Sequence, residues 1–162
     1  MMKKYHQKEV TNNMSDYYIS FIPEEPNYIP DSKVVEEIKG VAIEDCVQQY
    51  FEVSDVMYFA DAGENLESIA CPFCKADLQE WWGGAMDLAY YGEGGFTNLV
   101  TVVPCCNQSC SLNDLVYHFP QGFYKAKLTI EPTPDYQVNM EDICNKLTEV
   151  SGVQWRVIHT RV

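Results

Sequence analysis

Two tight clusters hold five of the seven cysteines, and these are the residues whose types and spacing could do chemistry. The first cluster is Cys71-Pro72-Phe73-Cys74, and the second contains Cys105, Cys106 and Cys110. A closed tetrahedral zinc site needs four ligands, and it is commonly built from two short turns that each supply two thiolates. The spacing therefore predicts one structural Zn²⁺ ion held by four of these five cysteines.

The ligand choice in the second cluster stays open, because three sulfurs compete for two places. Cys106 with Cys110, or Cys105 with Cys110, spans a plausible turn. The vicinal pair Cys105 and Cys106 is harder to accommodate, since adjacent side chains normally diverge. His118 is a further candidate ligand in place of one cysteine, although a hydrogen-bonding role is the simpler interpretation.

The same residues also allow a redox interpretation. Cys71-Pro72-Phe73-Cys74 before a predicted helix resembles the redox turn of glutaredoxins, whose helix lowers the pKa of the first thiol. In glutaredoxin-like chains, however, that turn directly follows the first strand, whereas here a long segment precedes Cys71. The second cysteine cluster would also be unexplained. A thiol–disulfide oxidoreductase is therefore the alternative hypothesis.

The elements that must position the cysteines begin and end with the same strand–helix–strand order. Alternating apolar residues predict a strand over 17–22, and a short helix follows that ends at Gly40. Near the other end, the pattern predicts a strand over 124–130, a helix over 139–150 and a strand over 153–162. Two such units can close into a split βαβ, ferredoxin-like sheet, antiparallel or mixed, in an α+β domain.

The middle of the chain is predicted to be an insertion between these halves. Apolar residues at Ile43, Cys46, Val47 and Tyr50 have helical spacing, and a strand is expected over 53–60. The cysteine-bearing segment, about 66–120, then forms a zinc-ribbon-like insertion. Within it, a helix over 78–89 and a strand over 96–103 are expected. We expect residues 1–14 to be a flexible tail and residues 15–162 to be a single domain.

The composition limits the classes of partner. The chain of 162 residues carries 24 Asp and Glu against 11 Lys and Arg, a formal net charge of −13. Nucleic acid and anionic membranes need cations to neutralise them, so both are disfavoured as main partners, whereas a basic protein partner is favoured. Neither a membrane span nor a secretory signal is visible, which predicts a cytoplasmic protein. A reducing compartment favours metal binding over disulfide bonds.

Complete catalytic constellations are not visible in the sequence. It contains no His-Glu-x-x-His, no Gly-x-Ser-x-Gly and no phosphate-binding glycine loop. Cys46 and Cys144 lie on the apolar sides of predicted helices, where core packing explains them. We therefore expect a protein that binds rather than catalyses.

Several motifs together resemble a group of small uncharacterised bacterial proteins. The motifs shared with that group are Gly63-Glu64-Asn65-Leu66-Glu67, Cys71-Pro72-Phe73-Cys74, Pro104-Cys105-Cys106, Ser111-Leu112-Asn113-Asp114-Leu115 and Pro120-Gln121-Gly122-Phe123. The resemblance covers nearly all of the chain after residue 16. It implies a cytosolic protein of bacterial or phage origin and gives no established reaction. The position of Cys110 is less regular in that group than those of Cys105 and Cys106, which leaves the ligand choice open.

The function that these features favour is a non-enzymatic, acidic, zinc-binding protein-interaction module. Its most concrete version is an immunity or antitoxin-like inhibitor, which presents carboxylates and aromatic side chains to the basic cleft of a bacterial toxin or effector. Besides the oxidoreductase, one more alternative is a nucleic-acid-associated zinc ribbon. The residues that would support it form a local basic strip, namely Lys125, Lys127, Arg156 and Arg161. The sequence does not predict the oligomeric state.

Overall fold

The structure is a computed structural model that describes residues 17–162, and the predicted tail over 1–14 lies outside these residues. The described part is an α+β protein with three α-helices and antiparallel sheets. In chain order, the elements are β1 (Tyr17–Pro23), α1 (Ser32–Lys39), β2 (Cys46–Ala60), β3 (Ser68–Ala70), α2 (Gln79–Tyr91), β4 (Val100–Val102), β5 (Ser109–Ser111), a 3-10 turn (Leu112–Asp114), β6 (Val116–His118), β7 (Gly122–Pro132), α3 (Met140–Ser151) and β8 (Trp155–Arg161).

The largest sheet has the strand order β2-β7-β1-β8, and every neighbouring pair in it is antiparallel. The central strand β1 pairs with β7 on one side and β8 on the other, so that Ile19 lies opposite both Ile130 and His159. Helices α1 and α3 pack against each other and bury Ile38 and Leu147 in one core with these strands. Both helices begin at a side-chain cap, Asp31 for α1 and Asn139 for α3.

The helix predicted from the spacing of residues 43–50 is wrong, because Cys46–Tyr50 belongs to strand β2. These residues pair with β7, with Gln49 opposite Ile130. Val47 is 56% exposed, so the apolar residues do not form one buried helical face. Residues such as Val and Tyr favour strands, and pairing with a distant strand decides between the two patterns. The strand predicted over 96–103 is also shorter, at Val100–Val102.

Residues 61–121 connect β2 to β7 and form a second part of the structure with its own core. It contains two two-stranded sheets, β3 with β6 and β4 with β5, and the helix α2. Its core is aromatic and is completed by the two strands it connects: the Phe59 ring of β2 contacts the Phe123 ring of β7, at a centroid separation of 4.9 Å, and the Trp82 indole, at 5.8 Å. The Trp82 indole N–H donates to the Tyr117 hydroxyl, which donates to the Leu112 carbonyl at 2.7 Å.

A buried asparagine joins this second part to the large sheet. The Asn113 side chain accepts a hydrogen bond from the Phe123 backbone N–H at 3.0 Å and donates one to the Glu24 carbonyl at 3.1 Å. Arg156 of β8 donates to the Asn113 carbonyl and forms an ion pair with Glu24. Because the hydrogen-bonding groups of Asn113, Arg156 and Glu24 have partners in one another and in the backbone, they fix the position of the cysteine-bearing part on the large sheet.

None of the helices in residues 17–162 combines the length and the apolar composition that crossing a membrane requires.

Candidate metal centre

Two turns with the same backbone geometry carry the cysteines. The first turn is residues 71–76, between the bridged residues Ala70 and Asp77, and the second turn is residues 103–108, between the paired residues Val102 and Ser109. In the first turn, the first N–H donates to the sixth carbonyl at 2.9 Å, and the fifth N–H donates to the first carbonyl at 3.1 Å. The same two bonds in the second turn are both 3.0 Å. The turns are therefore equivalent position by position.

The sequence features of the two turns follow the same positions. The second residue is proline in each turn, at Pro72 and Pro104, and the fourth is cysteine, at Cys74 and Cys106. The fifth residue has a positive φ although it is not glycine, at 65° in one turn and 57° in the other. This left-handed residue reverses the chain and lets each hairpin close around its cysteines.

The turns differ at their first and third positions. The first position is Cys71 in the first turn but Val103 in the second, and both side chains are fully buried in the same core. The third position is Phe73 in the first turn but Cys105 in the second. The second turn therefore presents a vicinal cysteine pair, with its additional thiol on the outer side of the turn.

The four sulfurs converge. The Sγ atoms of Cys71, Cys74, Cys105 and Cys106 all lie within 4.8 Å of one another. The Sγ atoms of Cys71 and Cys106 are 3.8 Å apart, and those of Cys74 and Cys105 are 3.3 Å apart. In a regular tetrahedron with metal–sulfur bonds of about 2.3 Å, the sulfurs are about 3.8 Å apart. All seven cysteines are free thiols, so this cluster has the size and the donor atoms to hold a metal ion.

Backbone N–H groups point at the innermost sulfur. The Phe73 N–H lies 3.4 Å from the Cys71 Sγ, and the Cys74 N–H bonds the same atom. Burial raises the pKa of Cys71, but these bonds and those from neighbouring thiols outweigh it and lower the pKa to about 6. Burial raises the pKa of Cys105 and of Cys106. Of these three thiols, Cys71 is therefore the most readily deprotonated and offers a metal ion a thiolate ligand.

Cys110 and His118, the other candidate ligands, are outside this group of four sulfurs. Cys110 lies in β5 opposite Thr101, and its half-buried side chain packs against the apolar core. His118 lies in β6, where its Nε2 is 3.0 Å from a carboxylate oxygen of Glu67 in an exposed pair. The structure thus brings the vicinal pair Cys105 and Cys106 together with the first turn. Both residues lie in the turn itself, where the chain curves enough to bring adjacent side chains together.

The sequence contains a signal for the equivalence of the turns that the spacing argument missed. Pro72-Phe73-Cys74 and Pro104-Cys105-Cys106 share the pattern Pro-x-Cys, and aligning them places Val103 opposite Cys71. That alignment by itself favours Cys106 as a ligand, because Cys106 then occupies the same position as Cys74.

A second surface feature lies at the end of the β4–β5 hairpin that is opposite the second turn. Glu24, Glu25 and Asp114 are among the residues that line an open cleft of about 300 Å³, which we call the acidic cleft; the Glu24 carboxylate is already paired with Arg156. Its other lining residues are Pro26, Asn27, Thr97, Asn98, Leu99, Val100, Ser111 and Asn113. The cleft borders β4, which pairs only with β5 in the described part of the chain and exposes its valines, 66% of Val100 and 57% of Val102.

Comparisons of the chain with protein-family models, with curated proteins and with solved structures find no match. The resemblance to small bacterial proteins therefore stays a prediction, and function has to be argued from the site itself.

Proposed function

We propose that Cys71, Cys74, Cys105 and Cys106 hold one structural Zn²⁺ ion. The observation that carries this proposal is the convergence of four sulfurs from two equivalent turns. Four thiolates in a tetrahedral arrangement are a soft ligand set that suits zinc, and a site closed by four protein ligands leaves no position for a substrate. Zinc binding to such sites contributes on the order of 10 kcal/mol to folding.

The same proposal extends to the architecture. We place the segment about 66–120 as a zinc-ribbon-like insertion in a split βαβ, ferredoxin-like domain. The order β2-β7-β1-β8, with one helix after β1 and another after β7, supports this assignment. The two cysteine-bearing turns, each closing a short hairpin, support the ribbon-like part.

The metal is tested by elemental analysis of protein purified without a chelator or a metal-affinity tag. We expect about one zinc per chain, with the four cysteines of the cluster protected from alkylation until a chelator is added. Cys110 is the internal control, since its alkylation should not depend on zinc in the folded state. Protein that contains no metal, and in which a chelator changes neither alkylation nor unfolding, would contradict the proposal.

We further propose that the protein binds a basic protein partner, in the manner of an immunity or antitoxin-like inhibitor. Support comes from the net charge of −13 and from the acidic cleft, whose Glu25 and Asp114 are both exposed. The exposed valines of β4 next to the cleft provide apolar area, and the carboxylates steer a cationic surface toward it. Binding at this surface would block a basic active cleft without any chemistry by the inhibitor.

Charge reversal tests this surface. The double variant Glu25→Lys with Asp114→Lys should bind the proposed basic protein partner at least tenfold more weakly than the wild type at low salt, or not at all. The matched control is Glu36→Lys with Glu44→Lys, which makes the same change in net charge at exposed positions that do not line the cleft. Equal loss in both doubles would mean that only the overall charge matters. Retention in both would contradict the cleft as the binding surface.

The two alternatives have less support. An oxidoreductase would attack through Cys71, which is fully buried, and α2 begins only at Gln79 rather than at the cysteine turn. In the basic strip expected for nucleic acid, Lys127 pairs with Glu52 at 3.3 Å and Arg156 pairs with Glu24 at 2.6 Å. Carboxylates therefore already neutralise two of the four cations that a nucleic acid would need.

A further inference from the structure

The four sulfurs of the cluster differ in their access to solvent. Cys71 is buried and Cys106 is half-buried, whereas Cys74 and Cys105 are exposed. The two exposed residues come from opposite turns, and their Sγ atoms are 3.3 Å apart. The separations between Cys71 and Cys106 and between Cys105 and Cys106 are longer, at 3.8 and 4.0 Å. The two most accessible sulfurs are therefore closer together than either of these pairs.

The second turn has valine, Val103, at the position where the first turn has Cys71, and this difference explains the arrangement. In the first turn, a buried cysteine occupies the first position, so Cys74 is the one cysteine of that turn that faces solvent. In the second turn, Val103 fills the buried position, and the additional thiol comes from Cys105 at the third position. The equivalent residue of the first turn, Phe73, is 44% exposed. The second turn therefore places one ligand on the outer side, directly beside the exposed ligand of the first turn.

We propose that Cys74 and Cys105 are a site of reversible oxidation by hydroperoxides, and that their disulfide releases the metal. This inference rests on the proposed zinc site. One exposed thiolate attacks the O–O bond of the peroxide, forms a sulfenic acid and releases hydroxide (or an alkoxide from an organic peroxide). The second thiolate attacks the sulfenic sulfur, forms the S–S bond and releases the second hydroxide. The two sulfurs lose two electrons in total, and the peroxide gains them.

Oxidation of this pair would leave only two thiolates, of Cys71 and Cys106, which do not suffice for a tetrahedral zinc site. The closure is small, because a sulfur separation of 3.3 Å has to shorten to about 2.05 Å. A vicinal disulfide between Cys105 and Cys106 is less favourable. Consecutive Cα atoms are about 3.8 Å apart, below the usual range of about 4.4–6.8 Å for disulfides. Burial shields Cys71 from the oxidant.

The positions of the trypsin cleavage sites allow the two cysteines joined by a disulfide to be identified. Trypsin cleaves after Lys39, Lys75 and Lys125, and no other Lys or Arg lies between these residues. Cys74 is therefore in the peptide 40–75 and Cys105 in the peptide 76–125. A disulfide between Cys74 and Cys105 joins the two peptides. A disulfide between Cys71 and Cys74, or between Cys105 and Cys106, stays within one peptide.

The experiment treats the zinc-loaded full chain with hydrogen peroxide while a chromophoric indicator reports free zinc. The protein is then alkylated under denaturing conditions, digested and mapped by mass spectrometry. We expect one zinc released per cross-link between peptides 40–75 and 76–125, with fragment ions that place the link at Cys74 and Cys105. A thiol reductant should reverse both signals. Zinc release with disulfides only within single peptides, or zinc retained in the presence of peroxide, would overturn the inference.

Variants distinguish a specific disulfide between Cys74 and Cys105 from non-specific oxidation of the protein. Cys110→Ser is the matched control and should give the same cross-link, since that thiol is outside the cluster. Cys74→Ser should abolish the cross-link, and a persisting link between the same two peptides would contradict the assignment. If the purified chain holds no zinc, the proposed metal site fails separately. Peroxide treatment of that metal-free protein then still decides the pairing: formation of the cross-link supports it and its absence overturns it.

Discussion

The equivalence of the two turns can be tested by moving one cysteine. Replacing Cys105 by serine removes one of the four sulfurs, and replacing Val103 by cysteine places a thiol at the position equivalent to Cys71. We expect the single variant Cys105→Ser to bind zinc more weakly. The double variant Val103→Cys with Cys105→Ser should recover most of the affinity, because both turns would then present cysteines at their first and fourth positions.

The size of the effect follows from the number of ligands. If a four-thiolate site contributes on the order of 10 to 16 kcal/mol, one ligand accounts for about 3 kcal/mol, or roughly a hundredfold in affinity. The double variant has a small cost of its own, since Val103 is fully buried and its replacement removes apolar volume, at about 1 kcal/mol. The double variant should therefore bind zinc within about tenfold of the wild type.

The assay is competition for zinc against a chromophoric chelator at pH 7, with far-UV circular dichroism as a check on folding. The control is Cys110→Ser, which should match the wild type because that residue lies in β5, outside the cluster. The reasoning would be refuted if the double variant bound zinc no better than Cys105→Ser. It would also be refuted if Cys105→Ser bound zinc as tightly as the wild type.

Three further changes address how the structure is held together. Asn113→Ala should lower the free energy of unfolding in urea by about 3 kcal/mol, because it leaves a buried backbone N–H of β7 without its acceptor; a loss below about 1 kcal/mol would contradict the bridging role. Burial lowers the pKa of His159 below its ordinary value of 6.5. The unfolded chain therefore binds a proton at His159 more readily than the folded chain, so the free energy of unfolding should fall as the pH drops through 6.5. The fall should be smaller in His159→Gln, and equal pH profiles of the wild type and the variant would argue against this role of His159. Gly63→Ala should cost at least about 2 kcal/mol in the same assay, since φ is +59° and the new Cβ would lie 2.1 Å from the Arg161 carbonyl oxygen. Gly94→Ala, at φ +70° with open space around it, should cost only about 1 kcal/mol, and equal losses would mean that the contact to β8 is unimportant.

Local signals in the sequence were sufficient for the two helices of the large sheet. Asp31 caps α1 by accepting from the Val34 N–H, and Asn139 caps α3 by accepting from the Asp142 N–H. Both helices end near a glycine, and their apolar residues recur at helical spacing. The cysteine clusters could also be located from neighbouring residues alone, because a short turn places metal-binding residues close together in the chain.

Other features depended on contacts between distant residues. The start of β2 has helical spacing, yet it pairs with β7, more than seventy positions away. The grouping of Cys105 with Cys106, rather than with Cys110, depends on the shape of a turn whose left-handed residue is Asn107. A pattern of residue types does not specify that backbone conformation, because most left-handed positions are glycine and here they are lysine and asparagine.

The connection between β2 and β7 has a kinetic consequence. Ala60 pairs with Gly122, so all of residues 61–121 lie inside what would otherwise be a hairpin turn. If that segment were still unfolded, bringing the two strands together would cost about 2 kcal/mol more loop-closure entropy than a four-residue turn. If the segment has already folded around its two cysteine turns, its ends are held close, and this entropy is lost before the strands meet. An ion bound by the four cysteines would then accelerate the assembly of a sheet that it does not touch.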